Sequence, residues 1–168
     1  MPKIIENLQQ RLVEEAGRQI RQSGYEAMTI RSVAKECGVG VGTVYNYYPS
    51  KEALVASYLL EDWNVCVNHV AEASQQARDA EPVLWAIYEN LSKFMEDHAA
   101  IFRSETAAAS FTGSVSQYHG LLRSQLAAPL RKFCRDDFTA EFVAEALLTW
   151  IVAGEDFDRV CCVLKRLF

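Results

Sequence analysis

The residues best suited to chemistry lie between Gly38 and Leu54, in the stretch GVGVGTVYNYYPSKEAL. Its alternating glycines are compatible with a loop that cradles a phosphate, and its tyrosines, asparagine and lysine with a surface that reads DNA. A Walker-type loop requires GK[ST] after its glycines, and a dinucleotide-binding loop requires a strand before GxGxxG. Neither is present, and the preceding IRSVAKEC has the pattern of an amphipathic helix. The sequence therefore favours DNA.

The same segment has the spacing of a helix-turn-helix, in which two short helices are joined by a tight turn. Ala34 is small where the helices would cross, Gly38 lies in the turn, and Val39 can fill the core between them. Val44 and Tyr48 are four residues apart and share the face of the second helix that we expect to be buried.

The opposite face carries side chains that suit DNA. Hydroxyl and phenol groups donate to phosphate oxygens, asparagine pairs with a base edge, and valine contacts a thymine methyl group. Helix N-termini add anion sites. The predicted DNA-binding residues are Thr29, Arg31, Val41, Gly42, Thr43, Tyr45, Asn46, Tyr47 and Lys51. The alternative is that the tyrosines only pack and the charges only face solvent.

Hydrophobic residues recur at helical spacing along almost the whole chain, and no stretch shows the strict alternation of a half-buried strand. The sequence therefore predicts an all-α fold. We expect a first helix over residues 3–22, short helices over 29–36 and 41–47, and a long helix from 51 to about 73, with Thr29 and Ser50 as N-caps. A helix-turn-helix DNA-binding domain, 1–50, would then precede a helical regulatory and dimerisation domain, 51–168.

Breaks in the second domain are predicted from its prolines and glycines. Pro82 suits a first helical turn. Gly113 with Ser114 predicts a break, and Pro129 predicts a kink or split because it lacks an amide donor. Thr139 is expected to cap the helix that ends near Gly154, and a final helix follows.

Charge and composition exclude several classes of protein. Residues 1–50 carry six Lys and Arg against five Asp and Glu, whereas residues 51–168 carry eleven against seventeen, so an anionic partner would meet the first segment. No apolar run approaches the ~18 residues that cross a bilayer, and the N-terminus lacks the pattern of an export signal. We expect a cytoplasmic protein with no membrane partner.

The five cysteines form no CxxC pair, so the sequence predicts neither a disulfide framework nor a metal site. Cys37, next to the turn, is a candidate redox switch, with a buried structural thiol as the alternative. No Ser/His/Asp set or phosphate loop is recognisable. We therefore expect no enzymatic activity and no cofactor.

Residues 24–54, GYEAMTIRSVAKECGVGVGTVYNYYPSKEAL, resemble the DNA-binding signature of the TetR/AcrR family of bacterial transcriptional regulators. The resemblance covers about 50 residues, including the first helix. It implies that Thr43, Tyr45, Tyr47 and Lys51 touch phosphates, while Val41, Gly42 and Asn46 lie where base contacts are usually made. Many relatives have Ser at Gly40 and a polar residue at Val41, so base readout is least defined at these two positions.

The resemblance also implies a homodimeric repressor that a small molecule releases from a palindromic operator, and the aromatic side chains of the middle helices favour an apolar or aromatic molecule. Candidate pocket residues in the middle helices are Trp63, Trp85, Tyr88, Phe94, Phe102, Phe111, Tyr118 and His119. Core packing is the alternative for each of them.

Apolar stripes on the last two helices predict the dimer interface, since a lone small domain would struggle to cover both. The stripes contain Val143, Leu147, Trp150, Ile151, Phe157, Val160, Leu164 and Phe168. The alternative, in which both stripes pack inward on the same chain, stays open at this point. So does a second function, a helical co-regulator or protein-interaction module of the same fold that does not itself read DNA.

Overall fold

The computed structural model describes residues 7–168, except for the side chains of residues 111–118. Within this range the regular structure is helical throughout, which confirms the all-α prediction. The α-helices are α1 (Leu8–Ser23), α2 (Ile30–Glu36), α3 (Val41–Tyr47), α4 (Lys51–Gln76), α5 (Glu81–Asp97), α6 (Ala99–Phe102), α7 (Glu105–Ala127), α8 (Asp137–Val152) and α9 (Phe157–Leu164). Short 3-10 helices span Ala128–Phe133 and Lys165–Leu167.

The chain divides into two compact units. The head unit comprises the residues up to Asp62 together with His98–Thr112, and the body unit comprises Trp63–Asp97 with Gly113–Phe168. The sequence placed a domain boundary at residue 50, whereas α4 runs unbroken through that region and contributes to both units. The functional division at residue 50 stays a prediction.

The head unit encloses one hydrophobic core, to which α1, α2, α3, the first half of α4 and the 98–112 segment all contribute. Its largest fully buried side chains include Leu12, Ile20, Tyr25, Met28 and Leu54. Burial of such side chains is worth roughly 1.5–3 kcal/mol each. Packing of this kind holds helices that are too short to be stable alone.

The short helices begin and end where the sequence predicts. The Thr29 hydroxyl accepts a hydrogen bond from Ser32 N at 3.0 Å, which satisfies an amide that would otherwise lack a partner at the start of α2. Gly38, at φ 70°, makes the turn after α2, in a left-handed conformation that side chains with a Cβ rarely adopt. Ser50 Oγ accepts from Ala53 N at 3.1 Å, which confirms it as the cap of α4.

Gly17 and Tyr58 mark the closest approach of α1 to α4. A Cβ on Gly17 would lie 2.5 Å from Cε2 of Tyr58, so any other residue would collide with the ring. The Tyr58 hydroxyl accepts a hydrogen bond from Nη1 of Arg21 at 2.6 Å, and its ring packs edge-on against His98 with 4.9 Å between centroids. Tyr58 therefore ties α1 and the start of α6 to α4.

The body unit is built around α4, α5, α7, α8 and α9, whose apolar faces share a second core. Nε1 of buried Trp63 donates to Oε1 of Gln125 at 2.7 Å. Ser74 Oγ donates to the Pro129 carbonyl at 2.8 Å, and Lys132 Nζ donates to the Ser74 carbonyl near the end of α4. These bonds satisfy polar groups at a helix end, where backbone carbonyls lack intrahelical partners.

Two predicted boundaries of the second domain are wrong. The predicted break at Gly113 and Ser114 does not occur, because α7 continues to Ala127, and the helix changes to 3-10 only beside Pro129. Asp136, not Thr139, caps α8: its side chain accepts from Thr139 N at 2.7 Å. An ionised carboxylate at a helix N-terminus is a stronger acceptor than a hydroxyl.

The predicted dimer stripe faces mainly inward. Its members Val143, Leu147, Ile151, Val160 and Leu164 are buried in the core of the body unit. Phe157 is half-buried against Trp85 and Tyr88, whereas Trp150 and Phe168 are exposed. The structure corrects the sequence interpretation for the five buried residues, because the most regular apolar stripe of α8 and α9 marks the face that their own protomer covers.

The environment of Cys37 does not favour a redox role. Its thiol is buried, donates to the Arg11 carbonyl at 3.6 Å, and has its pKa raised by burial. Burial likewise raises the pKa of Cys66 to about 11. Since the thiolate is the reactive form, both thiols are slow nucleophiles near neutral pH.

No helix in the part of the chain that the structure describes is both long and apolar enough to cross a membrane.

Gly17→Ala tests the contact between α1 and α4. We expect a loss of about 1–3 kcal/mol in the free energy of unfolding, because the added methyl group must displace the Tyr58 ring. Gly120→Ala is the matched control: nothing lies within 4 Å of its added Cβ inside α7, so stability should rise by up to ~1 kcal/mol. Equal changes in the free energy of unfolding of the two variants, measured in urea, would contradict the close approach of α1 to Tyr58.

Candidate nucleic-acid interface

Helix α3 has one face in the core of the head unit and the other at the surface. Val44 is fully buried and Tyr48 nearly so, as predicted from their spacing. Val39 N donates to the Ala34 carbonyl at 2.9 Å across the turn, and Thr43 N donates to the Gly40 carbonyl at 2.9 Å. The turn and the first residues of α3 are therefore fixed by backbone hydrogen bonds, and the outward face of the helix is presented on a rigid support.

The outward face carries hydrogen-bonding groups on apolar bodies. Tyr45 is 50% exposed and Tyr47 47% exposed, which is unusual for side chains of their size. Asn46 is exposed between them, and Thr43 is half-buried one turn earlier. This surface offers two phenols, an amide and a hydroxyl to a partner, while the free chain gains nothing evident from exposing the two rings.

The start of α3 is open and lightly capped. Gly40 occupies the N-cap position with extended backbone angles and provides no side-chain hydrogen bond to the helix. Gly42 is exposed, with no atom within 4 Å of where a Cβ would lie. Val41 is half-buried and packs against the head core. Because Val41 is half-buried, only part of its side chain is exposed for contact with a base.

Thr29 and Arg31, at the start of α2, are both exposed. Thr29 is also engaged within the chain, because its hydroxyl accepts the Ser32 amide in a reciprocal cap in which Thr29 N donates to Ser32 Oγ at 3.1 Å. The cap leaves the guanidinium of Arg31 as the charged group at this helix start.

Lys51 is held inside the protein rather than pointing freely into solvent. Its Nζ donates to the Tyr25 carbonyl at 2.6 Å and lies 4.1 Å from the centroid of the Tyr25 ring. Burial lowers the pKa of the Lys51 ammonium, and the nearby Glu26 and Glu52 carboxylates partly oppose that shift. An ammonium has three N–H groups, and one of those on Lys51 serves the turn between α1 and α2.

Those predicted pocket residues whose side chains the structure describes lie in several places. Buried Trp63 packs edge-on against Phe94, with 5.5 Å between ring centroids. Trp85 stacks on Tyr88 at 5.8 Å, as part of a separate aromatic group with Phe157. Phe102 belongs to the head unit, and its ring lies 6.4 Å from that of His98.

The remaining pocket candidates are His119, Phe111 and Tyr118. His119 Nε2 lies 3.6 Å from Oε1 of Glu145 on α8. Phe111 and Tyr118 lie outside the residues whose side chains are described. The pocket stays a prediction: Trp63 is buried in the core of the body unit, and Phe94 packs against that core.

Sequence reasoning missed two features, one in each unit. The hydrogen bond from Lys51 to the Tyr25 carbonyl joins residues 26 positions apart, and a periodic pattern contains no signal for such a link. The exposed phenylalanines Phe138 and Phe142 of α8 were also missed. Their spacing of four residues would have revealed a second apolar face.

Residues 12–58 match the family described as bacterial regulatory proteins, tetR family. The HTH-type transcriptional regulator SAR2658 of Staphylococcus aureus is 25% identical over 103 residues, which is 61% of this chain and 56% of that protein. The chain thus spans about half the length of this curated relative.

Solved structures share the whole fold. SCO7518 from Streptomyces coelicolor A3(2) superposes with a TM-score of 0.73 at 16% identity, over 95% of this chain and 97% of that one. FadR from Thermus thermophilus, a TetR family transcriptional repressor solved in complex with lauroyl-CoA, has a TM-score of 0.64 at 22% identity, over 95% and 92%.

Identities this low establish a shared fold and no more, whereas the family match falls on the helix-turn-helix itself. The matched segment 12–58 contains α2, the turn and the outward-facing α3, so the similarity to the tetR family of bacterial regulatory proteins lies in the helix-turn-helix.

Proposed function

We propose that the protein is a homodimeric repressor that binds a palindromic operator through residues 29–51 and is released by a small molecule. The observation that carries this proposal is the outward face of α3, on which Tyr45, Asn46 and Tyr47 are exposed while Val44 is buried beneath them. A short helix supported in this way is the element that a helix-turn-helix protein places in the major groove.

The side chains of this surface divide by chemistry. Phenols and hydroxyls of Tyr45, Tyr47 and Thr43 suit phosphate oxygens, which position a protein on DNA without reading its sequence. Asn46 is the side chain best able to read a base, because its amide can pair with both N6 and N7 of adenine. Gly42 allows close approach of the backbone, and Val41 offers part of an apolar side chain to a thymine methyl group.

The short reading surface and the body unit both support the proposed dimer. One seven-residue helix offers few base contacts, so palindromic recognition by two copies supplies the specificity. On α8, Phe138 is 76% exposed and Phe142 53% exposed, and Trp150 and Val152 are exposed as well. An apolar face of this kind on a helix marks an interaction site. We assign it, with Val163 and Phe168, to the contact between protomers.

The releasing molecule is expected to bind in the body unit, near Trp63 and Phe94, and to be apolar or aromatic. The FadR structure with lauroyl-CoA gives this proposal a first compound to try. Release of the selected DNA by lauroyl-CoA, but not by free coenzyme A, would support an acyl ligand. Absence of release by either would leave other apolar compounds to be screened.

The proposed function is tested by selecting bound sequences from random duplex DNA with the full chain. A competition gel shift at fixed salt then compares the selected duplex with a scrambled one. We expect the selected duplex to bind at least ~10³-fold more tightly, which is the lower end for specific regulators. Equal affinities would overturn the proposal and favour a helical co-regulator of the same fold that does not itself read DNA.

Asn46→Ala and Tyr47→Phe are expected to act differently. Loss of the Asn46 amide should cost about 1–3 kcal/mol at one position of each half-site and relax the preference there. Loss of the Tyr47 hydroxyl should weaken binding to all sequences equally. Asn64→Ala, an exposed asparagine on α4, is the control in the same gel shifts. A uniform loss for Asn46→Ala would remove Asn46 from the base-reading set.

Lys51→Ala is expected to have two effects, because its ammonium serves the turn as well as the DNA. The salt dependence of binding should fall by the equivalent of about one phosphate contact. The melting temperature should also fall, because the Tyr25 carbonyl loses its partner. Lys93→Ala, an exposed lysine on α5, should change neither. An unchanged salt slope would show that Lys51 acts only within the protein.

Phe142→Glu should disrupt the dimer, because it puts a charge into an apolar contact. Sedimentation velocity should show a monomer at concentrations where the unaltered chain is dimeric, and binding to a palindromic duplex should weaken. Val65→Glu makes the same change at another exposed apolar residue of the body unit and should stay dimeric. Monomers in both variants, or in neither, would refute the assigned interface.

A further inference from the structure

The turn between α1 and α2 is held from outside the helix-turn-helix. Ser104, which separates α6 from α7, donates from its hydroxyl to Oε1 of Glu26 in this turn. Ser104 lies far beyond the 12–58 segment that carries the family match, yet it belongs to the same compact head unit. The contact therefore joins the turn to a residue outside the matched segment.

The serine is itself tightly placed. Ser104 is buried, and its Oγ also accepts a hydrogen bond from Ala107 N at 3.0 Å, in the first turn of α7. Its carbonyl accepts from Ala108 N at 3.0 Å. One hydroxyl thus caps α7 and donates to Glu26, using its single donor and one of its lone pairs. A shift in the start of α7 would move the group that holds Glu26.

The apolar contacts of residues 98–112 explain why this segment packs on the head core, but they do not fix its orientation. Ile101 and Ala107 are buried in the head core, and His98 packs against Tyr58 of α4. Hydrophobic contact is non-directional, whereas a hydrogen bond weakens steeply with distance and angle. The bond between Ser104 and Glu26 is a directional link from this segment to the turn.

The turn is also fixed on its other side. Lys51 holds the Tyr25 carbonyl, one residue before Glu26, and Thr29 caps α2 three residues after it. The pKa of the Glu26 carboxyl is lowered, chiefly by its hydrogen bond from Ser104, with a smaller contribution from the charge of Lys51. The carboxylate is the form that this arrangement favours.

We propose that Glu26 is a positioning residue, through which the α6–α7 junction sets the placement of the turn before α2 and hence of the reading helix α3. The proposal rests on the proposed function for its effect on DNA, but the coupling between Ser104 and Glu26 is a property of the free protein. A molecule or variant that displaces the start of α7 would alter operator affinity by way of this hydrogen bond.

Amide hydrogen exchange on the free, full-length chain tests the coupling without DNA. Glu26→Ala should speed exchange at Ala107 and Ala108, and Ser104→Ala should speed exchange at Ser32 and Val33, each by about fivefold, the lower end of typical coupling between sites. In the variant that combines Glu26→Ala and Ser104→Ala, these amides should exchange no faster than in the single variants. Glu26→Gln keeps an acceptor oxygen and should restore most of the protection.

Two controls separate coupling from local damage. Glu36→Ala removes an equal charge from the head unit, and Ser124→Ala removes an exposed serine from the same helix α7. Neither change should alter exchange at the amides of Ser32, Val33, Ala107 and Ala108. If Glu26→Ala affects only its own turn, or if the effects of the two single variants add, the proposal is overturned.

The same variants are then measured on the selected duplex. Glu26→Ala and Ser104→Ala should each weaken specific binding about fivefold relative to scrambled DNA, with the salt slope unchanged, whereas Glu36→Ala should leave the ratio unaltered. Lack of sequence preference in the unaltered chain would refute the proposed function, and hydrogen exchange would still decide whether the two turns are coupled.

Discussion

A seven-residue helix is too short to hold its shape alone in water, so the reading surface depends on what is packed beneath it. Val44 and Tyr48 anchor α3 in the head core, and this anchoring frees the opposite face to carry half-exposed phenols. The other parts of the head unit serve that constraint. Helix α1 and the first half of α4 contribute to the core on which α3 packs. Gly17 allows these two helices to approach closely.

The helix-turn-helix was largely predictable, because its signals are local. Thr29 caps α2, Gly38 makes the turn, and Val44 and Tyr48 face inward, all as their spacing indicated. A cap, a left-handed glycine and a four-residue spacing each act within one or two turns of helix. The family resemblance, confirmed by the match of residues 12–58, rests on these same local features.

Features that depend on distant partners were beyond the sequence. The stripe containing Leu147 and Leu164 is buried within its own protomer, because periodicity shows which face is apolar but not what covers it. The link from Lys51 to Tyr25 and the one from Ser104 to Glu26 join residues 26 and 78 positions apart. Single polar side chains of this kind leave no periodic signal, so only the folded structure reveals them.

In the proposed complex, two copies of the outward face of α3 read two halves of one DNA site. A hydroxyl-radical footprint of the full chain on its selected duplex tests this most directly. We expect two protected patches related by a dyad, with centres one helical turn of DNA or a multiple of it apart, since a helix-turn-helix dimer meets successive major grooves on one side of the duplex. A single patch, or protection spread evenly along the duplex, would contradict it.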